Sequence, residues 1–285
     1  MATVPASSDR WTRRAQAIGS HSARGYLLTV LGEFVLPVGG RVWTAALIDA
    51  LGALGVDERA ARQAIARSGE RGLLEAERIG RRTLWHLTDM AGTLLTEGAR
   101  RIYSFHREPR RWDGRWLLLF TSVPESQRDL RHRLRVRLGW AGFASLGAGA
   151  WLSPWVDREP EARDVLSGLG LLETARSFTG SLGGIGDRAD LVAQAWALDD
   201  IDAAYEAFLE RFSAVRAAPS SLAFVELTRL VHEWRGFPFL DPDLPAELLP
   251  KGWSGHRAAT VFHRLHEQWR SPAWAWWSER MAAAE

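Results

Sequence analysis

The sequence of 285 residues contains no cysteine, which excludes disulfides and thiolate metal sites and fits a reducing compartment. Long apolar runs are absent too. Runs such as Trp116–Phe120 (WLLLF) fall far below the ~20 residues that a membrane-spanning helix needs. The first residues lack the apolar core and cleavage site of a signal peptide. We therefore expect a cytoplasmic protein without a membrane-spanning segment.

Lysine is nearly absent, because Lys251 is the only one among 36 basic residues. A GC-rich genome is the simplest cause of this bias. Whatever its cause, almost every basic side chain is a planar guanidinium, whose paired N–H donors suit phosphate and guanine.

The total charge of +2 conceals a strong asymmetry along the chain. Residues 100–137 contain eleven arginines and four acidic residues, which give a net charge of +7. Residues 157–211 contain twelve acidic residues and five arginines, which give −7. The basic region would attract nucleic acid, and the acidic region would not.

Apolar residues at helical spacing, followed by two short alternating runs, organise the first hundred residues. Three helices and then a hairpin form the element order of a winged helix-turn-helix. The predicted elements are helices over 24–35 and 43–54, a third helix capped by Asp57 and ending near residues 69–72, strands over 73–77 and 83–87 around Gly80, and a helix over 89–108 that Pro109 ends.

The rest of the chain predicts a strand-helix-strand-strand-helix-strand unit, the order of a ferredoxin-like sandwich, and then helices after the glycine-rich break Gly180–Gly186. Its predicted strands cover 116–123, 143–146, 150–153 and 173–179, and its helices cover 125–138, 161–169, 191–198, 201–215, 220–234 and 257–269. We therefore expect an α+β multidomain chain. Its expected parts are a flexible arm over 1–22, a winged helix-turn-helix domain over 23–108, a ferredoxin-like α/β sandwich over 109–182 and an α-helical C-terminal domain over 183–285.

The third predicted helix has an open side that suits DNA. With Ala61, Ala64 and Ile65 facing inward, polar residues fall on the opposite side. Arginine and glutamine make paired hydrogen bonds to guanine and adenine in the major groove. A merely solvated face is the alternative, but the surrounding element order favours DNA. The predicted contacts on this helix are Arg59, Arg62, Gln63 and Arg67.

The predicted hairpin carries Arg78, Arg81 and Arg82 at its tip. Such a wing suits phosphate contact or insertion into a narrow minor groove, although charge would also protect a sheet edge from pairing. Arg41, just before the second helix, completes the predicted DNA-binding set. Residues 128–137 predict a further arginine-rich helix that would support DNA, bind an acyl-CoA phosphate, meet an acidic surface or simply face solvent.

Several segments resemble the PaaX-like transcriptional regulators, the family of the phenylacetic acid degradation repressor. The resemblance covers roughly Arg24 to Trp277 and is most specific in its last segment. The segments that carry it are WTAALIDALGALGVDERAARQAIARSGERGLL, WDGRWLLLFTSVPE with LRHRLRVRLGWAGFASLGAGAWLSP, and LVHEWRGFPFLDPDLPAELLPKGW.

This resemblance implies a homodimeric repressor of an aromatic catabolic operon. It also implies an effector, phenylacetyl-CoA or a related aromatic acyl-CoA, whose binding releases the operator DNA. No cofactor is expected. His232, Trp234 and Arg235, on the most distinctive segment, are the candidate effector contacts, with a structural role as the alternative. Six tryptophans crowd the C-terminal part, where they would line an aromatic site or pack the core: Trp234, Trp253, Trp269, Trp274, Trp276 and Trp277.

An enzyme is the rival interpretation. The middle segment also resembles the small CRISPR-associated integration nucleases, which carry a metal-binding aspartate at the end of their first strand. Here the strand end, Leu119–Val123, contains no acid, so metal-assisted hydrolysis lacks its centre. His263 and His266 form an HxxH near His256, but without cysteine or a matching acid this is a weak metal signal. We therefore predict neither a catalytic nor a metal site.

Overall fold

A computed structural model describes residues 22–107, 110–214 and 220–285. These residues form an α+β structure of two units. One unit contains residues 110–204 and 238–254; the other contains the described residues of 22–107, 205–237 and 255–285. The expected N-terminal arm, apart from Ser22, and Pro109 lie outside the described residues. The four-domain division stays a prediction, and the compact units group the chain differently, because the C-terminal helices pack with the N-terminal ones.

The unit that contains residues 22–107 begins with three packed helices, as the sequence predicts. They are α1 (Ala23–Val30), α2 (Thr44–Ala53) and α3 (Glu58–Glu70). Asp57 caps α3 as expected, since its Oδ1 accepts a hydrogen bond from the Ala60 N–H at 2.9 Å. Leu27, Leu47 and Leu51 are almost fully buried in the core that the three helices share.

A wider helical turn extends α1. Residues Leu31–Val35 form π-helix and Leu36–Val38 form 3₁₀-helix. Glu33, Phe34 and Val35 are all buried, so this turn is surrounded by protein on nearly every side. The sequence predicts a helix here but not its altered winding.

The hairpin forms at the predicted place, and a third strand joins it. Its strands β2 (Leu74–Ile79) and β3 (Arg82–Leu87) flank a two-residue turn in which Gly80 has φ 61°. β1 (Arg41–Trp43), which the sequence analysis did not predict, pairs antiparallel with β3, so the sheet order is β1-β3-β2. Helix α4 (Asp89–Ser104) follows the hairpin.

One glycine lets the hairpin lie close to α3. A Cβ on Gly69 would stand 3.2 Å from Cζ3 of Trp85, which is closer than most real contacts. The same Trp85 donates from Nε1 to the Thr44 hydroxyl at 2.9 Å. Trp85 therefore joins the hairpin to both α2 and the C-terminal end of α3.

The other unit contains the predicted strand-helix-strand-strand-helix-strand order. Its four strands are all antiparallel and lie in the order β5-β6-β4-β7, which is the ferredoxin-like arrangement. Leu117 and Leu138 belong to the core between the sheet and its helices. The elements are β4 (Trp116–Phe120), α5 (Arg128–Trp140), β5 (Ala144–Gly147), β6 (Ala150–Ser153), α6 (Glu159–Ser167) and β7 (Arg176–Gly180).

The first of these strands ends three residues earlier than expected. Phe120 pairs with Ala150 on one side and with Arg176 on the other, and both partner strands start there. Beyond Phe120 the chain has no strand to pair with, so the apolar Val123 lies outside the sheet.

Helices make up most of the remaining described chain, as expected. The last helix continues through Pro272 and is far longer than the predicted 257–269. Ala273 and Trp277 are buried beyond the proline, and their packing compensates for the backbone hydrogen bond that proline removes. The helices are α7 (Arg188–Ala195), α8 (Leu198–Phe212), α9 (Ser220–Trp234), the short α10 (Phe237–Leu240) and α11 (Gly255–Ala284).

We expect Asp57→Ala to lower the free energy of unfolding by about 1 kcal/mol, because the first turn of α3 loses its capping acceptor. Asp57→Asn keeps an oxygen at that position and should cost only a fraction of this. Urea titrations followed by circular dichroism would measure both. Equal loss in the two variants would contradict the capping role.

Candidate nucleic-acid interface

The exposed side of α3 contains the residues that the sequence predicts for it. Ala61, Ala64 and Ile65 are buried, and Ser68 is buried with its hydroxyl donating to the Ala64 carbonyl at 2.9 Å. The opposite side is open to solvent along the whole helix. Its polar members are Arg59, Arg62, Gln63 and Arg67.

One of these arginines has a neighbour on its own helix. Arg62 donates from Nε to Glu58 Oε1 at 2.8 Å, and its second nitrogen lies 2.7 Å from the same oxygen. More than half of each side chain is exposed, so solvent screens the pair. An exposed pair of this kind is worth at most about 1 kcal/mol, so Arg62 can exchange it for a phosphate or a base at small cost.

The hairpin presents Arg78, Arg81 and Arg82 at its tip, all exposed. Ile79 pairs with Arg82 across the turn, which places the three arginines within a few residues of one another. Arg82 also donates to the Ala284 carbonyl at the end of α11, at 3.4 Å. A predicted DNA contact therefore touches the C-terminal helix, and residues 202 positions apart in sequence carry no local signal of this contact.

Arg41 lies in the same sheet but away from the tip. It is exposed on β1 and pairs with His86, four residues along β3 from Arg82. The structure therefore brings the hairpin arginines together and the α3 residues together, and it places Arg41 at the base of the wing. A three-residue strand is too short to produce a periodic signal in the sequence.

The arginine-rich helix of the other unit is α5. Arg128, Arg133, Arg135 and Arg137 are exposed, whereas Arg131 is half-buried and donates to the Glu125 carbonyl at 3.1 Å. The buried face of the helix carries Leu134 and Leu138. This cationic surface is a second place where phosphate would be attracted.

The candidate effector residues all lie in the packed interior or at its edge. His232 and Trp234 have no exposed surface. His232 Nδ1 lies 3.1 Å from the Thr29 hydroxyl, and Trp234 donates from Nε1 to the Ile102 carbonyl at 3.1 Å. Both contacts join α9 to helices of the N-terminal half, so these residues have structural partners already.

Arg235, like His232 and Trp234, has a hydrogen-bond partner in the N-terminal half of the chain. It donates to the Gly25 carbonyl at 3.2 Å, and burial lowers the pKa of its guanidinium to about 10. Whether the three residues also contact an effector stays a prediction. A ligand would reach His232 and Trp234 only if the helices moved apart.

The histidines of the HxxH segment have other neighbours. His266 Nε2 lies 3.0 Å from Glu33 Oε1, and burial lowers the pKa of His263. Within residues 22–107, 110–214 and 220–285, no group of three histidine, aspartate or glutamate side chains is placed to hold a metal ion. In the same part of the chain, every helix is too short or too polar to cross a membrane.

These features define the class: an α+β protein with a ferredoxin-like unit and a helical unit whose hairpin and third helix expose arginine. Three protein-family models match the chain. They are described as PaaX-like protein over residues 22–91, PaaX protein central Cas2-like domain over 109–192, and PaaX-like protein C-terminal domain over 196–279. The chain belongs to the PaaX-like protein family, as its resemblance indicated.

Two individual proteins are similar over nearly the whole chain. The transcriptional repressor PaaX of Escherichia coli (strain K12) is 28% identical over 271 residues, which are 91% of this chain and 84% of the relative. The solved structure of an uncharacterized protein from Mycobacterium tuberculosis is 24% identical, with a TM-score of 0.58. That alignment covers 93% of this chain and 99% of the other and supports the fold alone.

We expect Trp234→Phe to lower the free energy of unfolding by about 1–3 kcal/mol, because the Ile102 carbonyl loses its donor and a gap remains beside Phe262. Leu222→Ala, at an exposed position of the same helix, is the matched control and should cost much less. Urea unfolding followed by tryptophan fluorescence would measure both. If Trp234→Phe is as stable as the control, Trp234 does not contribute to the stability of the core in this way.

Proposed function

We propose that this protein is a DNA-binding transcriptional regulator that represses its target genes. The observation that carries the proposal is the solvent-exposed face of α3, presented by three packed helices beside an arginine-tipped hairpin. The polar residues of this face are Arg59, Arg62, Gln63 and Arg67. The name of the Escherichia coli relative supports the repressor role. Repression rather than activation is the part of the proposal that rests on this relative.

In this proposal the N-terminal helices and hairpin act as a winged helix-turn-helix. The helix α3 enters the major groove, where its side chains reach base edges. The hairpin lies against the phosphate backbone or in the neighbouring minor groove. The burial of Ala61, Ala64 and Ile65 supports this reading, since it fixes which side of α3 faces outward.

A homodimer would present two such surfaces to two half-sites of an operator. A helical turn of DNA separates successive major-groove faces by about 34–36 Å, so the dimer geometry sets which operator spacing is read. An effector that prefers another geometry would shift the population away from DNA. We propose an aromatic acyl-CoA such as phenylacetyl-CoA as this effector, and an aromatic catabolic operon as the target.

The nuclease alternative needs acidic ligands beside the basic surface. The strand β4 and Thr121–Val123 directly after it carry no carboxylate, and hydrolysis assisted by a divalent cation requires one. The same unit exposes arginines on α5, which suits binding of a phosphate backbone without cleavage. Regulation is therefore the function that the residues support better.

We expect Arg62→Ala to weaken binding to the operator by about 1–3 kcal/mol while leaving the fold intact, since a paired contact to a base is lost. Glu58→Ala removes the carboxylate next to Arg62 and should strengthen binding or leave it unchanged. Fluorescence anisotropy with a fragment of the protein's own promoter measures both. If Arg62→Ala binds as tightly as the native chain, Arg62 does not belong to the surface of α3 that contacts DNA.

We expect joint replacement of Arg81 and Arg82 by alanine to weaken binding about equally on operator and random duplex, because phosphate contacts carry no sequence information. The slope of log K against log salt should fall by about 0.9 for each lost contact. Arg264→Ala, an exposed arginine on α11, controls for loss of charge alone. A loss confined to the operator would instead indicate that the wing reads bases.

A further inference from the structure

A cavity of about 440 Å³ lies at the base of the wing, between β1 and the last turns of α11. All of its lining residues belong to the unit that contains the predicted DNA-binding surface. Its volume lies in the range of small-molecule sites, which is roughly 300–1,000 Å³. Arg41, Trp43, Trp274 and Trp277 are among the side chains that line it.

The aromatic part of this lining is held in place by the core. The ring of Phe34 lies 5.6 Å from the ring of Trp274 and 5.6 Å from that of Trp277, and Trp277 is only 2% exposed. Fixed indole rings favour a flat aromatic ligand.

The charged part of the lining is Arg41. Its guanidinium is exposed and forms no ion pair with another described residue. A planar guanidinium binds a carboxylate through two parallel hydrogen bonds. Glu285 also lines the cavity, but it is exposed, so solvent and salt screen its charge.

Another cavity has the opposite chemistry. It lies in the ferredoxin-like unit, has a volume of about 650 Å³, and is bordered by Asp187, Asp199, Asp200 and Glu247 against a single arginine, Arg188. An anionic ligand would be repelled there. The smaller cavity has three indoles and an exposed arginine without an ion pair among the described residues, and it is the better match for an aromatic acid.

We propose that the cavity at the base of the wing binds a planar aromatic acid or its thioester, with the ring against Trp43, Trp274 and Trp277 and the oxygen on Arg41. This inference rests on the proposed function, because it assigns the effector of that regulator to a site. It moves the effector away from His232 and Trp234, whose side chains are buried in the core.

The site is connected to DNA binding through two arginines. Arg41 is itself a predicted DNA contact, so an anion bound to it takes a cation away from phosphate. Arg82 donates to the Ala284 carbonyl, and the neighbouring Ala282 and Glu285 line the cavity. A ligand against this last turn of α11 therefore acts on the wing. By linkage, DNA must weaken the ligand by the same factor as the ligand weakens DNA.

The test titrates the full-length protein with phenylacetate and, separately, with phenylacetyl-CoA, using calorimetry and tryptophan fluorescence without DNA. Ala282→Phe places a ring in the cavity from an exposed position, and Ala283→Phe adds the same ring at an exposed neighbour outside the lining. We expect Ala282→Phe to weaken binding of the better ligand about tenfold or more, a loss of about 1.4 kcal/mol, and Ala283→Phe to leave it unchanged.

A second pair of measurements isolates the anion contact. Arg41→Gln should weaken phenylacetate binding by about tenfold and leave the neutral analogue phenylacetamide nearly unaffected. The comparison of the two native titrations tells whether the free acid or the thioester is the ligand. No binding of either to the native chain, or equal binding by Ala282→Phe and Ala283→Phe, would overturn the proposed site.

Operator binding is also measured on the same samples without ligand. This measurement tests the proposed regulator independently of the proposed ligand site. Ala283→Phe should bind the promoter fragment, and be released from it by the ligand, as the native chain is, whereas Ala282→Phe should resist release by the ligand. Ligand binding at the cavity by a protein with no preference for the promoter fragment would support the site and refute the regulator. Ligand-induced release that persists in Ala282→Phe would refute the site and leave the regulator standing.

Discussion

The packing of Phe34 against the C-terminal aromatic residues is the contact on which the helical unit depends. Its ring lies within 6 Å of those of Phe224, Trp274 and Trp277, so residues about 190 to 240 positions apart in sequence share one core. Aromatic pairs at such distances add to the free energy that burial already contributes. Because Phe34 lies in the π-helical turn that extends α1, the helices that carry α3 pack on the C-terminal helices. The surface that we propose for DNA is thus part of the same cooperative structure as α9 and α11.

A buried polar cluster fixes the same helices in register. Glu33, next to Phe34, accepts a hydrogen bond from the Tyr103 hydroxyl and lies 3.0 Å from His266 Nε2. Burial, and then the Glu33 carboxylate, raise the pKa of Tyr103 well above its ordinary value, so the phenol remains a donor near neutral pH. An apolar core tolerates sliding, whereas a buried carboxylate without its donors costs several kcal/mol. We infer that this cluster favours one alignment of α1, α4 and α11. Glu33 and Phe34 both reach the interior from the π-helical turn at Leu31–Val35.

The elements that the sequence could predict are those whose signals are local. Asp57 as the cap of α3, the inward face at Ala61, Ala64 and Ile65, and the turn at Gly80 all follow from residue type and spacing over a few positions. The strand β1 could not be predicted, because three residues become a strand only when β3 lies beside them. Proline disfavours a helix interior, so local propensity opposes the continuation of α11 through Pro272. The burial of Trp277 compensates for this. The sequence pattern predicted the ferredoxin-like order correctly, but the packing partner of the last helices is a property of long-range contacts.

The candidate effector residues show the same distinction between local sequence signals and long-range contacts. His232, Trp234 and Arg235 stand out because they fall in the most distinctive segment, yet their contacts to Thr29, Ile102 and Gly25 give them a structural task. Arg41 and Trp274 are unremarkable in sequence, and only folding brings them to one cavity. A cation that DNA and effector can both contact couples their binding, because it can pair with only one of them at a time. Arg41 lies where such a choice is possible, at the base of the wing, and the buried core residues do not.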